Sequence, residues 1–177
     1  MPNNFLSVND WSSKEHEDFL FLTDTIKQGN YNSILKNKNF ALVFEKASLR
    51  TRVSFEVAIK KLGGNAIYLS ENDIGLGKRE SITHVAKNLN RWVDGIIARV
   101  YQHSTLINFT ENANINIINA LSDLEHPCQA LADIYTIYKK FGKLDNINFC
   151  YIGDGNNVAS SLSLICGHLG INFTYSS

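Results

Sequence analysis

Ser48, Leu49, Arg50, Thr51 and Arg52 follow one another at a point where the chain changes character. The apolar run Phe40–Phe44 precedes them and reads as a buried strand. Val53, Val57, Ile59 and Leu62 follow at roughly helical spacing and stop at Gly63-Gly64. The segment is therefore a strand-to-helix turn. Its helix start offers free backbone N–H groups and the positive end of the helix dipole. Two hydroxyls and two guanidinium groups added to that start make a site for an anion, most naturally a phosphate. A serine cap beside two solvated arginines is the plain structural alternative. No Gly-x-x-x-x-Gly-Lys loop is present, so side chains and the helix start would do the holding.

Three further polar groups stand at comparable places. Arg99 closes the apolar run Gly95–Tyr101. His126 precedes Pro127, which biases it towards an extended conformation ahead of a helix, and Gln129 lies within a turn of it. Gly153-Asp154-Gly155-Asn156-Asn157 follows the run Ile147–Ile152. It resembles the start of a dinucleotide fingerprint without the third glycine, and its asparagines could simply cap the next helix. Cys128 has only His126 near it as a proton acceptor, which argues against a nucleophilic role. His16, His84, His103 and His168 are scattered over different elements and suggest no metal cluster.

The elements that must position these groups alternate. Ser12-Ser13-Lys14-Glu15 is a capping box opening a helix to about Gln28, with Phe19, Leu22 and Ile26 expected on its buried face. After the central strand and helix come a strand at 65–69, a polar surface loop at 70–80 and a helix at 81–92. A strand at 95–101, a short helix at 106–112 and a strand at 115–120 follow. A helix from Pro127 to about 140–142, a strand at 147–152, a helix at 158–169 and a strand at 171–175 complete the series. Such alternation implies an α/β protein with a mostly parallel sheet flanked by helices, in which ligands gather beyond the carboxyl ends of the strands. All four polar groups fall at that end.

Bulk properties set limits. The 177 residues allow one full domain and the beginning of another. Lys+Arg and Asp+Glu are 17 each, which argues against a nucleic-acid or polybasic membrane binder and makes any anion site local. Three cysteines without a Cys-x-x-Cys pair suit reduced thiols and give no metal framework. Met1–Asp10 has no basic stretch leading into an apolar core, and no apolar run approaches membrane-spanning length; a cytoplasmic location is expected.

Taken together, Phe44-Glu45-Lys46-x-Ser48-x-Arg50-Thr51-Arg52, Ala98-Arg99-Val100-Tyr101, Leu121-Ser122-Asp123-Leu124-x-His126-Pro127-x-Gln129 and Gly153-Asp154-Gly155-Asn156-Asn157-Val158 closely resemble the ornithine carbamoyltransferases. The likeness runs from about residue 5 to 175. The resemblance implies a carbamoyl-phosphate-binding domain over 1–142, including a connecting helix from about 127, and the beginning of a Rossmann-like ornithine-binding domain over 146–177. It implies that Ser48, Leu49, Arg50 and Thr51 wrap the phosphate of carbamoyl phosphate, some through backbone N–H groups. Arg99, His126 and Gln129 would hold the carbamoyl end, with Arg50, Arg99 and His126 catalytic, and Asn157 would contact L-ornithine. No cofactor or metal is implied, and the assembly would be a homo-oligomer, a trimer.

Other transcarbamoylases, acting on putrescine, an acylated ornithine or aspartate, are the neighbouring readings. A non-catalytic relative that binds carbamoyl phosphate is the reading from another class. Relatives often carry Gln or His where this chain has Gly75, a side chain that in the family reaches a neighbouring subunit's phosphate site. The family's later segments, which hold the amino acid substrate, lie beyond Ser177, so the chain by itself is expected not to turn over ornithine.

Overall fold

The computed structural model of the chain describes residues 3–29, 33–77 and 79–177. The elements run α1 (Ser13–Lys27), β1 (Asn39–Phe44), α2 (Leu49–Lys61), β2 (Asn65–Ser70), α3 (Glu71–Ile74), α4 (Ile82–Trp92) and β3 (Gly95–Arg99). They continue with α5 (His103–Asn112), β4 (Asn116–Leu121), α6 (Pro127–Phe141), β5 (Asn148–Ile152), α7 (Asn157–His168) and β6 (Asn172–Ser176). Four parallel strands form one sheet in the order β2-β1-β3-β4, and β5 pairs in parallel with β6 in a second. The expected parallel α/β architecture is what the chain adopts.

Local chemistry accounts for most of the boundaries. The Ser12/Glu15 capping box forms at the start of α1. Pro127 occupies the first turn of α6, and Gly142 ends that helix in the left-handed conformation. Along β1, Ala41 and Val43 pack on one face of the sheet with Ile96, Leu106 and Phe109. Leu42 and Phe44 pack on the other with Ile59, Ile97 and Ala120. This is the period-2 alternation of a strand covered on both sides. A third cluster joins Phe5 and Val8 of the N-terminal segment to Leu20, Ala130, Ile134, Leu162 and Ile165 from α1, α6 and α7. Phe5 also bridges Ile118, extending the edge of β4.

Several expectations need correction. On α1 the buried positions are His16 and Leu20, while Leu22 is exposed. The helix turns towards α6 and α7, where Tyr135 and Lys139 reach Asp24 and His16 packs against His168. On α2 only Ile59 is buried, and Leu49, Val53 and Val57 stand on an outer face. Residues 70–80 are more than a loop: Ser70 and Asp73 form a capping box for α3, Ile74 and Leu76 are buried, and Leu76 bridges Glu80. Gly75 ends α3 with φ +58°, and a Cβ there would meet that of Arg79 at 2.8 Å, so the turn as built requires glycine. The helix starting near 106 begins at His103, and the strands and helices elsewhere fall within a few residues of expectation.

Phe109 is fully enclosed at the centre of the α4/α5 face. Phe109→Ala is expected to cost about 3–5 kcal/mol of stability in urea unfolding, the range for removing a buried aromatic ring. Trp92→Ala, at an exposed position, should change it by no more than about 0.5 kcal/mol. Equal effects would contradict this account of the core.

Candidate active site

In the order β2-β1-β3-β4 the chain moves outward from β1 to β2 on one side and from β3 to β4 on the other. The connections leaving the carboxyl ends of β1 and β3 therefore run in opposite directions, and the space between them is the usual ligand position in such sheets. A cleft of about 680 Å³ lies there. Ser48, Arg50 and Thr51 line it from the turn after β1, Arg99 from the end of β3, and His126 and Gln129 from the start of α6. Residues as far apart in the chain as Ser48 and Gln129 thus converge on one space. The turn itself is tied down: the Glu45 amide donates to the Arg99 carbonyl, and the Glu45 carboxylate accepts from the Tyr101 amide at 2.6 Å.

Ser48 is the N-cap of α2, yet its side chain makes no capping hydrogen bond, which removes the plain structural reading of this serine. Leu49 turns its side chain to solvent and can contribute to the cleft only through its backbone. Arg52 does not take part. It pairs with Glu56 one turn along α2 and stacks 3.7 Å over the Tyr68 ring, so one guanidinium of the turn, Arg50, serves the cleft and not two.

At the far side Arg99 Nη1 donates to Thr51 Oγ1 at 3.4 Å, while its Nε is enclosed without a protein partner. Burial, and then the nearby Arg50 charge, lower the Arg99 pKa. His126 lines the cleft with Nδ1 enclosed and unpartnered, which leaves Nε2 as the ring nitrogen available to a ligand. Burial, with Arg99 adding to it, pushes His126 down to about 4. The imidazole is therefore neutral near pH 7 and offers a neutral N–H, not an imidazolium. Gln129 Nε2 donates to Asp133 Oδ1 at 3.0 Å, which fixes the amide and frees its oxygen to accept.

One arginine, two hydroxyls and a helix start at one end, with a second arginine, a neutral imidazole and an amide oxygen at the other, suit a small molecule carrying a phosphate and a polarised carbonyl. Residues 3–139 match the profile described as "Aspartate/ornithine carbamoyltransferase, carbamoyl-P binding domain". The chain belongs to this carbamoyltransferase family. An ornithine carbamoyltransferase of Methanocorpusculum labreanum is 45% identical over 175 residues, which is 97% of this chain and 57% of that protein. The solved structure of ornithine carbamoyltransferase from Thermus thermophilus superposes with a TM-score of 0.93 at 42% identity, over 99% of this chain and 61% of that one. The Pyrococcus furiosus enzyme gives 0.90 at 35% identity, over 98% and 66%. The chain thus spans somewhat over half the length of these carbamoyltransferases.

One acidic residue of the cleft was not singled out from the sequence. Asp133 lines the cleft and orients Gln129; its spacing of one turn from Gln129 was the available signal. Burial raises the Asp133 pKa, against the lowering effect of that hydrogen bond. Cys128 also lines the cleft, but burial pushes its thiol up to about 12 and it donates to the Asn119 carbonyl, so it is no nucleophile. Asn157 is held differently from the rest. Its amide donates at 2.6 Å to the Ser122 carbonyl, Asn156 caps α7, and Val158 reaches the cleft wall.

The lowered His126 pKa has a stability consequence. Folded His126 stays neutral down to about pH 4, while in the unfolded chain it titrates near 6.5. Between those values the unfolded state binds more protons, so this contribution is complete above pH 6.5 and is lost as pH falls towards 4. Burial lowers His16 as well, in the same sense. His126→Asn, compared with wild type by thermal melting, should therefore show a smaller fall in Tm between pH 6.5 and 4. An unchanged slope would contradict a depressed His126.

Proposed function

We propose that the cleft binds carbamoyl phosphate and that the protein to which this chain belongs transfers its carbamoyl group to the δ-amine of L-ornithine, giving L-citrulline and phosphate in arginine metabolism. The observation that carries this reading is the convergence of Ser48, Arg50 and Thr51 with Arg99, His126 and Gln129 around one cleft. Ser48, Arg50, Thr51 and the amides at the start of α2, that of Leu49 among them, hold the phosphate. The Arg99 guanidinium and the neutral His126 N–H face the carbonyl oxygen, and the fixed oxygen of Gln129 accepts from the carbamoyl amine.

In the reaction the amine nitrogen attacks the carbamoyl carbon and negative charge gathers on the carbonyl oxygen. As the tetrahedral species collapses, the carbon–oxygen bond to phosphate breaks and the proton lost by the nitrogen passes to the departing phosphate. Preset donors at the oxygen favour that charge, each by about 3–4 kcal/mol where such groups have been removed. Arg50 and the helix start then receive the charge that passes to the leaving phosphate.

The matched relatives named as ornithine carbamoyltransferases support ornithine over putrescine, an acylated ornithine or aspartate. We assign residues 1–142 to a carbamoyl-phosphate domain and 146–177 to the beginning of an ornithine domain, with Asn157 an ornithine contact through the part of its amide that Ser122 leaves free. The outer apolar face of α2, Leu49, Val53 and Val57, supports assembly of copies; a trimer and a cytoplasmic location complete the proposal.

Carbamoyl phosphate and, at higher concentration, inorganic phosphate are expected to raise the Tm of this chain. By calorimetry, Arg50→Ala should weaken both ligands by roughly tenfold to a hundredfold, the scale of a charge-assisted hydrogen bond. Gln129→Ala should weaken carbamoyl phosphate by about fivefold or more and leave phosphate within about twofold. If both substitutions act equally on both ligands, the division into phosphate and carbamoyl ends is wrong.

A further inference from the structure

Glu125 is nearly buried, and each of its carboxylate oxygens is engaged. Oε1 accepts from Ser7 Oγ at 2.5 Å, and Oε2 accepts from the Val8 amide at 3.1 Å and from Ser161 Oγ at 3.0 Å. Ser161, fully buried on α7, accepts in turn from the His126 amide at 2.9 Å. The direction of the relay is set by Glu125. Because the carboxylate takes the Ser161 hydroxyl proton, a lone pair of that oxygen is left facing the backbone of His126.

A second bond runs in parallel. Asn157 and Ser161 are four residues apart on α7 and so share a face, and Asn157 donates to the Ser122 carbonyl. Both ends of the Ser122–His126 loop are therefore pinned to α7. This matters because His126 stands ahead of α6 with φ −129° and ψ 68°, and its side chain makes no capping hydrogen bond to the helix. The Gln129 and Ala130 amides of α6 donate to the His126 carbonyl, so α6 holds one side of this peptide, while the His126 amide depends on Ser161.

We infer that Glu125 and Ser161 form a positioning pair that aims His126 at the carbamoyl end of the cleft. Glu125 also carries that alignment to the N-terminal segment through Ser7 and Val8. The inference rests on the carbamoyl phosphate reading and deepens it. Neither residue touches the cleft, and both act through the backbone of the residue that does. Arg50, Ser48 and Thr51 are held by β1, Glu45 and α2 and lie outside this network.

The test is calorimetric titration of the 177-residue chain with carbamoyl phosphate and, separately, inorganic phosphate. Ser161→Ala removes the acceptor for His126 and should weaken carbamoyl phosphate by about tenfold while phosphate stays within about twofold. Glu125→Ala removes the acceptor that orients Ser161 and should weaken carbamoyl phosphate selectively, whereas Glu125→Gln keeps an acceptor oxygen for Ser161 and should hold affinity within about threefold of wild type. A merely structural role would weaken both ligands together, with no rescue in the conservative variant, and that result overturns the inference. So does Ser161→Ala binding carbamoyl phosphate as wild type does.

Hydrogen exchange of the wild-type chain gives a measurement that needs no folded variant. The His126 amide should be protected by about a hundredfold or more over an open helix-start amide. Exchange at the unprotected rate overturns the relay. Wild type that binds phosphate but not carbamoyl phosphate would instead overturn the reading of the cleft itself, and the inference with it.

Discussion

The site depends on holding Arg50 and Arg99 on one side of the molecule against their mutual repulsion. Their chain-wide background is neutral, with equal acidic and basic residues, so the positive character of the cleft is a local arrangement. Among the described residues neither guanidinium has a carboxylate partner, in contrast to Arg52, which is neutralised by Glu56. Arg99 is partly withdrawn from water, which lowers its pKa, and Arg50 lowers it further. Such a concentration of charge costs stability in the folded chain. It is favourable only towards an anion that meets both groups at once.

The fold carries that cost through features distant from the charges. β1 is covered on both faces, so the turn following it has a rigid base. Glu45 binds the backbone after Arg99 and ties the two arginine-bearing segments together. The start of α2 contributes dipole and N–H groups at the point where β1 and β3 part. On the other wall the His126 amide is bonded to Ser161 of α7, a helix packed with the second sheet, so the two walls of the cleft are supported by different parts of the chain.

Much of this was legible in the residues. The Ser12/Glu15 capping box, Pro127 and Gly142 mark helix ends because they satisfy or terminate backbone hydrogen bonding locally. Of the residues the resemblance assigns to the site, Ser48, Arg50, Thr51, Arg99, His126 and Gln129 line the cleft, while the side chains of Leu49 and Asn157 do not. What was not legible depends on partners far away in sequence. Periodicity marks a stripe on α1 or α2 but not which stripe is covered, so Leu22, Val53 and Val57 are exposed while His16 is buried. Arg52 lies one turn before Glu56, a local pairing that Arg50 lacks, and Tyr68, brought alongside by β2, adds a contact from a distant part of the sequence. The bonds of Asn157, Ser161 and Glu125 cross from 35 to 118 positions and have no sequence signature at all.

The most direct measurement of the central claim is a residue-resolved one. Backbone amide chemical shifts of the isotopically labelled chain can be followed while inorganic phosphate and then carbamoyl phosphate are added. Phosphate should move the amides of Leu49, Arg50 and Thr51 at the start of α2 and leave those of His126 and Gln129 in place. Carbamoyl phosphate should move both sets at a common saturation. Movement of neither set, or of amides away from the cleft between β1, β3 and α6, would contradict it.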